Sequence, residues 1–209
     1  WSHRIIMERV IPASQRGDAT SPPSHRLTCA DRLDPNAVAA FERDGVVCLR
    51  DVVDPAHVEA LCDAADNAAE HPGPLGYRIG APGAPGFFCY DFQLHERHDA
   101  YRWLVFDSGV PALGAQLMRS PGVTLYYSNL FVKDGGCTAD SPWHEDASYQ
   151  RIDGLGCINF WIALDAIPAQ TALMFKAASH RRDGPVSLPR HFDPDAGYQQ
   201  GLSRDRGPM

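Results

Sequence analysis

Several signals that usually reveal a protein's environment are missing from this sequence of 209 residues. No apolar run approaches the roughly 18 residues needed to cross a bilayer, and the N-terminus lacks the continuous apolar stretch of a signal peptide. Acidic residues outnumber basic ones, 26 against 19, which gives a formal charge of -7. Because nucleic acids and anionic membranes attract cationic faces, we expect neither as a partner. The composition predicts a soluble, cytoplasmic protein.

Cysteine pairs and the common nucleotide-binding motifs are also missing. The six cysteines form no C-x-x-C pair, so neither a zinc ribbon nor a disulfide-stapled secreted scaffold is indicated. We expect reduced cysteines that mostly pack as small buried side chains. The sequence contains no G-x-G-x-x-G, P-loop or G-x-S-x-G motif. These absences argue against dinucleotide binding, nucleoside triphosphate binding and a serine-hydrolase elbow.

The length fits one domain preceded by a tail. Residues 1–30 combine four arginines and three prolines with no lasting helical or strand period, and we predict a flexible N-terminal arm there. Residues 31–209 would then form the domain. The chain begins at Trp1 rather than Met, which we interpret as the sign of a fragment or a processed product.

Helix signals dominate the first half of the domain. Asp34-Pro35 and Asp54-Pro55 are typical helix starts, and they predict helices over 35–44 and from 55 to the Pro72-Gly73 pair. The apolar run 46–49 between them predicts a buried strand. Proline and glycine dominate residues 72–86, which predicts a long surface loop.

Strand signals dominate the second half, after a helical stretch over 99–118 that is interrupted at Gly109 and Pro111. Segments rich in β-branched and aromatic residues predict strands over 123–133, 143–151, 157–164 and 173–177. Helices followed by antiparallel-type strands indicate an α+β chain, mainly β, in which N-terminal helices buttress a sandwich or barrel.

The segment Trp143-His144-Glu145-Asp146 carries the most informative chemistry. Because side chains alternate along a strand, His144 and Asp146 would point to one side and Glu145 to the other. An H-x-D pair joined by a second histidine is how a 2-His-1-carboxylate triad holds non-haem Fe(II). An ordinary hydrogen bond between the two side chains is the alternative interpretation of this short pattern.

Four further segments extend the pattern in order. Residues 41–47 (FERDGVV) precede the second helix start, and 130–133 (LFVK) precede the H-x-D segment at 143–146 (WHED). The segments 160–165 (FWIALD) and 173–181 (LMFKAASHR) follow it. Together they resemble the phytanoyl-CoA dioxygenase family over roughly residues 38–182. Two turns depart from the family pattern: residues 177–180 (AASH) stand where the family has P-G-S-H, and 168–171 (PAQT) replace an acidic-Asn-Gly run.

The resemblance implies a double-stranded β-helix, or jelly roll, with Fe(II) and the cosubstrate 2-oxoglutarate at one end. Carried over by position, His144 and Asp146 would be catalytic iron ligands, and Lys133 and Trp161 would lie near 2-oxoglutarate. Tyr127, which alternates with Asn129 on the strand before the motif, could line the same pocket. Packing in the core or on the surface is the alternative role for these three side chains.

The resemblance leaves the second iron-binding histidine and the 2-oxoglutarate-binding arginine unidentified, because in the family both come later. His180 and His191 are the only histidines after the motif. His180 matches the turn histidine, which is not a ligand in the family, and His191 lies in a predicted loop. We therefore expect a chain that is incomplete at its C-terminus, with weak iron binding and a marginal fold.

The resemblance implies an Fe(II)- and 2-oxoglutarate-dependent dioxygenase that hydroxylates a small organic substrate and converts 2-oxoglutarate to succinate. Two alternatives stay open. One is a non-catalytic or incomplete jelly-roll module of the same family. The other is a cupin-type metalloenzyme that does not use 2-oxoglutarate.

Overall fold

The computed structural model describes residues 2–10, 32–80, 86–137, 143–146, 156–169, 171–181, 185–189 and 198–203. The helices are α1 (Pro35–Asp44), α2 (Pro55–Glu70), α3 (Asp99–Arg102) and α4 (Val110–Leu117). The strands are β1 (Ser2–Val10), β2 (Tyr77–Ile79), β3 (Phe88–Phe92), β4 (Thr124–Lys133), β5 (Cys157–Ala163), β6 (Pro185–Pro189) and β7 (Tyr198–Ser203). The α+β class is confirmed.

The first two helices begin where their sequences predict. The Asp34 carboxylate accepts a hydrogen bond from the backbone N–H of Asn36, and Asp54 does the same for Ala56, both at 2.8 Å. Each aspartate thereby satisfies one of the backbone donors that a helix start leaves unpaired, and the proline that follows has no N–H to satisfy. Gly45 ends α1 in the left-handed region at φ 78°.

The helical stretch over 99–118 is interrupted as predicted. A π-helical turn over Trp103–Asp107 follows α3, and α4 begins at Val110. The hydroxyl of Ser108, between the two pieces, donates to the Leu104 carbonyl at 2.5 Å and accepts from the Val110 N–H at 3.2 Å.

The main sheet contains five strands in the order β2-β3-β4-β1-β5. Strands β2, β3 and β4 pair antiparallel, whereas β1 pairs parallel with both β4 and β5. A separate antiparallel pair joins β6 to β7. A jelly roll also contains two sheets, and that finer assignment stays a prediction.

Strand β1 lies between β4 and β5 in this sheet, within the segment for which we predict a flexible arm. Ser2–Val10 bonds to β4 from Ser2↔Thr124 to Val10↔Lys133, and to β5 from Ser2↔Cys157 to Glu8↔Ala163. Local sequence cannot reveal such a strand, because its partners lie more than a hundred residues away. Residues 11–30 of the predicted arm lie outside the described residues.

The hydrophobic core lies between the helices and one face of this sheet. One cluster joins α2 and the π-helical turn to β3 and β4, with Leu61, Leu104 and Leu130 fully buried. A second cluster places α1 and α4 against Ile158 of β5. Burial of each leucine contributes about 2 kcal/mol, so these contacts fix the sheet face that the helices cover.

Three predicted elements are wrong. Residues 46–49 form no strand, although Val47 and Leu49 pack against the core as an extended segment. Residues 173–177 are exposed and form neither helix nor strand. The predicted loop 72–86 contains β2, which pairs with β3 at Tyr77↔Tyr90, and residues 81–85 lie outside the described residues. Apolar and β-branched content alone did not distinguish extended coil from paired strand.

The described cysteines carry no disulfide, in agreement with the expected reduced state. Cys89 of β3 is fully buried, and this burial raises the pKa of its thiol to about 11. Cys48 is exposed, so the expected packing role does not extend to every cysteine. Among the described helices, none has the length and apolar character to span a bilayer.

Candidate metal centre

The H-x-D segment is not a strand where the structure describes it. Trp143 lies in a bend, His144 and Glu145 belong to no regular element, and Asp146 has 3-10 helical geometry. The strand prediction over 143–146 is therefore wrong, and residues 147–151 lie outside the described residues. Pro142 in the sequence just before this segment has no N–H to donate to a ladder, which disfavours regular pairing there.

His144 and Asp146 nevertheless converge. The Nε2 atom of His144 lies 3.1 Å from Oδ1 of Asp146. Their side chains are 26% and 30% exposed, so the pair is partly shielded and still open to solvent.

Asn159 of β5 contacts the second carboxylate oxygen of Asp146. Its Nδ2 donates a hydrogen bond to Oδ2 of Asp146, so the two carboxylate oxygens have different neighbours. This contact fastens the irregular segment 143–146 to the main sheet. The sequence offers no signal that pairs these two residues, because an isolated asparagine inside a β-branched strand matches no motif.

The face of β5 that carries Asn159 points away from the helices. Ile158, Phe160 and Ile162 pack into the core clusters, so the alternate residues Asn159 and Trp161 lie on the opposite face. Trp161 is half-buried there. The candidate centre therefore lies on the sheet face that the helices leave uncovered.

Tyr127 of β4 shares this face. Across β1, the register places Asn159 level with Tyr127 and Trp161 level with Asn129. The partner of β1 jumps from Leu125 to Tyr127 between His3 and Arg4, so Tyr126 is an extra residue of a bulge. After this bulge, Tyr127 and Asn129 alternate with Ser128 and Leu130 along β4, and of these four residues only Tyr127 is not fully buried.

Lys133 lies at the opposite end of β4 from Thr124. It ends β4 six residues beyond Tyr127, which corresponds to about 20 Å along the strand. The flexible side chain of lysine spans only about 6 Å. Of the three side chains expected near a cosubstrate, Tyr127 is level with Asn159, Trp161 lies two residues further along β5, and Lys133 ends β4.

The donors present fit iron chemically. Imidazole nitrogen and carboxylate oxygen are the ligand types of non-haem Fe(II), and neighbouring ligands of a six-coordinate metal with bonds of about 2.1 Å lie about 3 Å apart. The separation of 3.1 Å between His144 and Asp146 agrees with that value. A direct hydrogen bond between the two side chains has the same length, so geometry alone admits both interpretations.

A third protein ligand is not found within the described ranges, where no group of three or more His, Cys, Asp or Glu side chains could hold a metal. His180 packs instead at the end of α1, where a Cβ atom added to Gly45 would lie 2.2 Å from its Nδ1. His191 lies outside the described residues.

Comparisons with known proteins agree with the sequence resemblance. The family model for phytanoyl-CoA dioxygenase (PhyH) matches residues 41–206, which include α2, the H-x-D segment and β5. No curated protein and no solved structure gives a match. Because the family model covers most of the sequence, the chain belongs to the phytanoyl-CoA dioxygenase family.

Proposed function

We propose that this protein is an Fe(II)- and 2-oxoglutarate-dependent dioxygenase that hydroxylates a small organic substrate. Members of its family are generally oxygenases, and the family falls within the Fe(II)/2-oxoglutarate-dependent oxygenase superfamily. The observation that carries the proposal for this chain is the convergence of His144 and Asp146 at 3.1 Å.

His144 and Asp146 would hold the metal through Nε2 and Oδ1. When bound with 2-oxoglutarate and oxygen, iron supplies the oxidising chemistry that converts a substrate C–H to C–OH while 2-oxoglutarate becomes succinate and carbon dioxide. The protein's part is to fix the ligands and to place the substrate. The hydrogen bond from Asn159 and the packing of β5 against the core supply that rigidity.

Trp161 and Tyr127 would border the cosubstrate. Both lie on the uncovered sheet face, where an indole and a phenol ring offer apolar walls and a hydroxyl to a small dicarboxylate. Trp143, 56% exposed beside His144, adds apolar surface where the segment meets solvent. Lys133, at the end of β4, stays a prediction as a residue near 2-oxoglutarate.

The test is formation of succinate from 2-oxoglutarate by the purified full chain with added Fe(II). His144→Ala removes a metal ligand and should abolish succinate formation, whereas Glu145→Ala should retain most of it. Glu145 is the matched control because it lies between the two proposed ligands and is half-buried. Circular dichroism would show that both variants are folded.

The two alternative functions give different outcomes in the same experiment. A non-catalytic module would form no succinate and bind no Fe(II). A cupin-type metalloenzyme would bind Fe(II) through His144 and leave 2-oxoglutarate unchanged. Equal loss of succinate formation in folded His144→Ala and Glu145→Ala would contradict the roles assigned to these residues.

A further inference from the structure

We propose that Asn159 is a positioning residue for the metal site, which orients the carboxylate of Asp146 toward the metal. The inference rests on the proposed function, since it assumes that Asp146 is a ligand. The sequence motif does not include Asn159, and it lies 13 residues after the aspartate that it contacts.

The two carboxylate oxygens of Asp146 contact different residues. Oδ2 accepts the hydrogen bond from the Asn159 amide, and Oδ1 faces Nε2 of His144 at 3.1 Å. With Oδ2 held, rotation of the carboxylate about its last side-chain bond would break the amide hydrogen bond. Oδ1 is thereby kept on the side of the histidine, where the two donors can share one cation.

The backbone around Asn159 is suited to this task. Asn159 lies inside β5 and pairs with Arg4 of β1, and its neighbours Ile158 and Phe160 pack into the core from the opposite face. Residues 143–146, in contrast, belong to no strand. The amide of Asn159 therefore belongs to a paired strand, whereas the proposed ligand Asp146 belongs to an irregular segment that the amide can hold in place.

The chemistry of an amide also suits a cation site. A lysine or arginine in place of Asn159 would pair with the carboxylate and offset its negative charge, which would weaken attraction to a divalent cation. The neutral amide donates one hydrogen bond and leaves the full carboxylate charge available to the metal.

The experiment titrates Co(II), a spectroscopic stand-in for Fe(II), into the full chain under anaerobic conditions and follows the visible d–d absorption. Asn159→Ala removes the donor, and Asn159→Leu removes it while nearly preserving side-chain volume. Both should weaken Co(II) binding about ten- to a hundredfold and change the absorption spectrum. Asn159→Ser keeps a donor on a shorter side chain and should lose less affinity than Asn159→Ala.

Asn67→Ala is the matched control, since Asn67 is an exposed asparagine on α2. It should leave Co(II) affinity and spectrum unchanged. Unchanged affinity in both Asn159→Ala and Asn159→Leu, with the wild type binding Co(II), would overturn the positioning role alone, even if their melting temperatures fell. Absence of Co(II) binding by the wild type would overturn the proposed function and this inference together.

Discussion

At the scale of single residues, burial lowers the pKa of two histidines outside the candidate centre, His95 and His98. His95 Nδ1 lies 2.9 Å from the Ser128 hydroxyl, and burial lowers the pKa of His95, with Arg102 adding to the effect and Glu96 opposing it. Burial also lowers the pKa of His98, aided by Arg97 and opposed by Asp91. The folded state therefore resists protonation that the unfolded chain accepts.

This difference predicts a loss of stability in mild acid. Below the ordinary histidine pKa of about 6.5 the unfolded chain binds more protons than the folded one, so the free energy of unfolding falls as pH falls. Urea unfolding between about pH 7.5 and about pH 5.5 should show a smaller decline in the double variant His95→Gln/His98→Gln than in the wild type. His71→Gln, at an exposed position after α2, is the control. Equal declines in the wild type and the double variant would contradict the prediction.

Asp91 and Arg97 show a different use of burial. The Asp91 side chain is fully buried, and Oδ2 accepts hydrogen bonds from the Arg97 guanidinium at 2.6 Å and from the Gly73 N–H at 3.0 Å. A buried carboxylate is tolerated only with such partners. This contact anchors the Pro/Gly-rich segment after α2 to strand β3. The start of that segment therefore has a defined position, although its sequence predicts a surface loop.

At the scale of elements, the turn over residues 178–181 packs against the C-terminal end of α1. The N–H of Ala178 donates to the Asp44 carbonyl at 2.7 Å, and the Arg181 guanidinium donates to the Glu42 carbonyl. The His180 ring occupies the space beside Gly45, where no Cβ atom could fit. His180, the histidine of the turn that resembles the family's, therefore lies beside Gly45 and not beside Asp146.

Gly45→Ala tests this packing. The left-handed φ of 78° costs any Cβ-bearing residue about 1 kcal/mol, and the contact with His180 adds to that cost. The free energy of unfolding in urea should fall by about 2 kcal/mol when Gly45→Ala is made in the wild type. It should fall by about 1 kcal/mol when the same change is made in a His180→Ala background.

The control for Gly45→Ala is Gly122→Ala, because an added Cβ atom at Gly122 would meet no atom within 4 Å. Its effect should stay within about 0.5 kcal/mol. If Gly45→Ala costs the same with and without His180, the ring does not occupy the position described.

Elements with local signals were predictable from the sequence, and elements defined by distant partners were not. Helices α1 and α2 begin at aspartate-proline pairs, and β4 and β5 stand out through their β-branched and aromatic residues. Strand β1 depends on partners from Thr124 onward, and β2 and β3 lie in or beside a Pro/Gly-rich stretch. The sequence also predicted that His144 and Asp146 lie close together, although the strand that this prediction assumed is absent. It did not predict the contact of Asn159 with Asp146, because only the folded chain brings the two residues together.

At the scale of the whole molecule, the two faces of the main sheet have different tasks. Helices and buried leucines cover one face, and the other carries Tyr127, Asn159 and Trp161 beside the His144–Asp146 pair. Substitutions on the helix side should therefore act through stability, and those on the uncovered face through binding. The chain carries a formal charge of -7, so attraction of the proposed cosubstrate, the dianion 2-oxoglutarate, would have to come from local groups rather than from the net charge.

The central claim is that His144 and Asp146 together hold iron, and equilibrium binding of Fe(II) to the full chain under anaerobic conditions tests it most directly. The wild type and Glu145→Ala should each bind one Fe(II) per chain, and His144→Ala and Asp146→Ala should each bind about ten- to a hundredfold more weakly or not at all. Fe(II) binding that is equal in the wild type, His144→Ala and Asp146→Ala would contradict the account, and the 3.1 Å contact would then be an ordinary hydrogen bond.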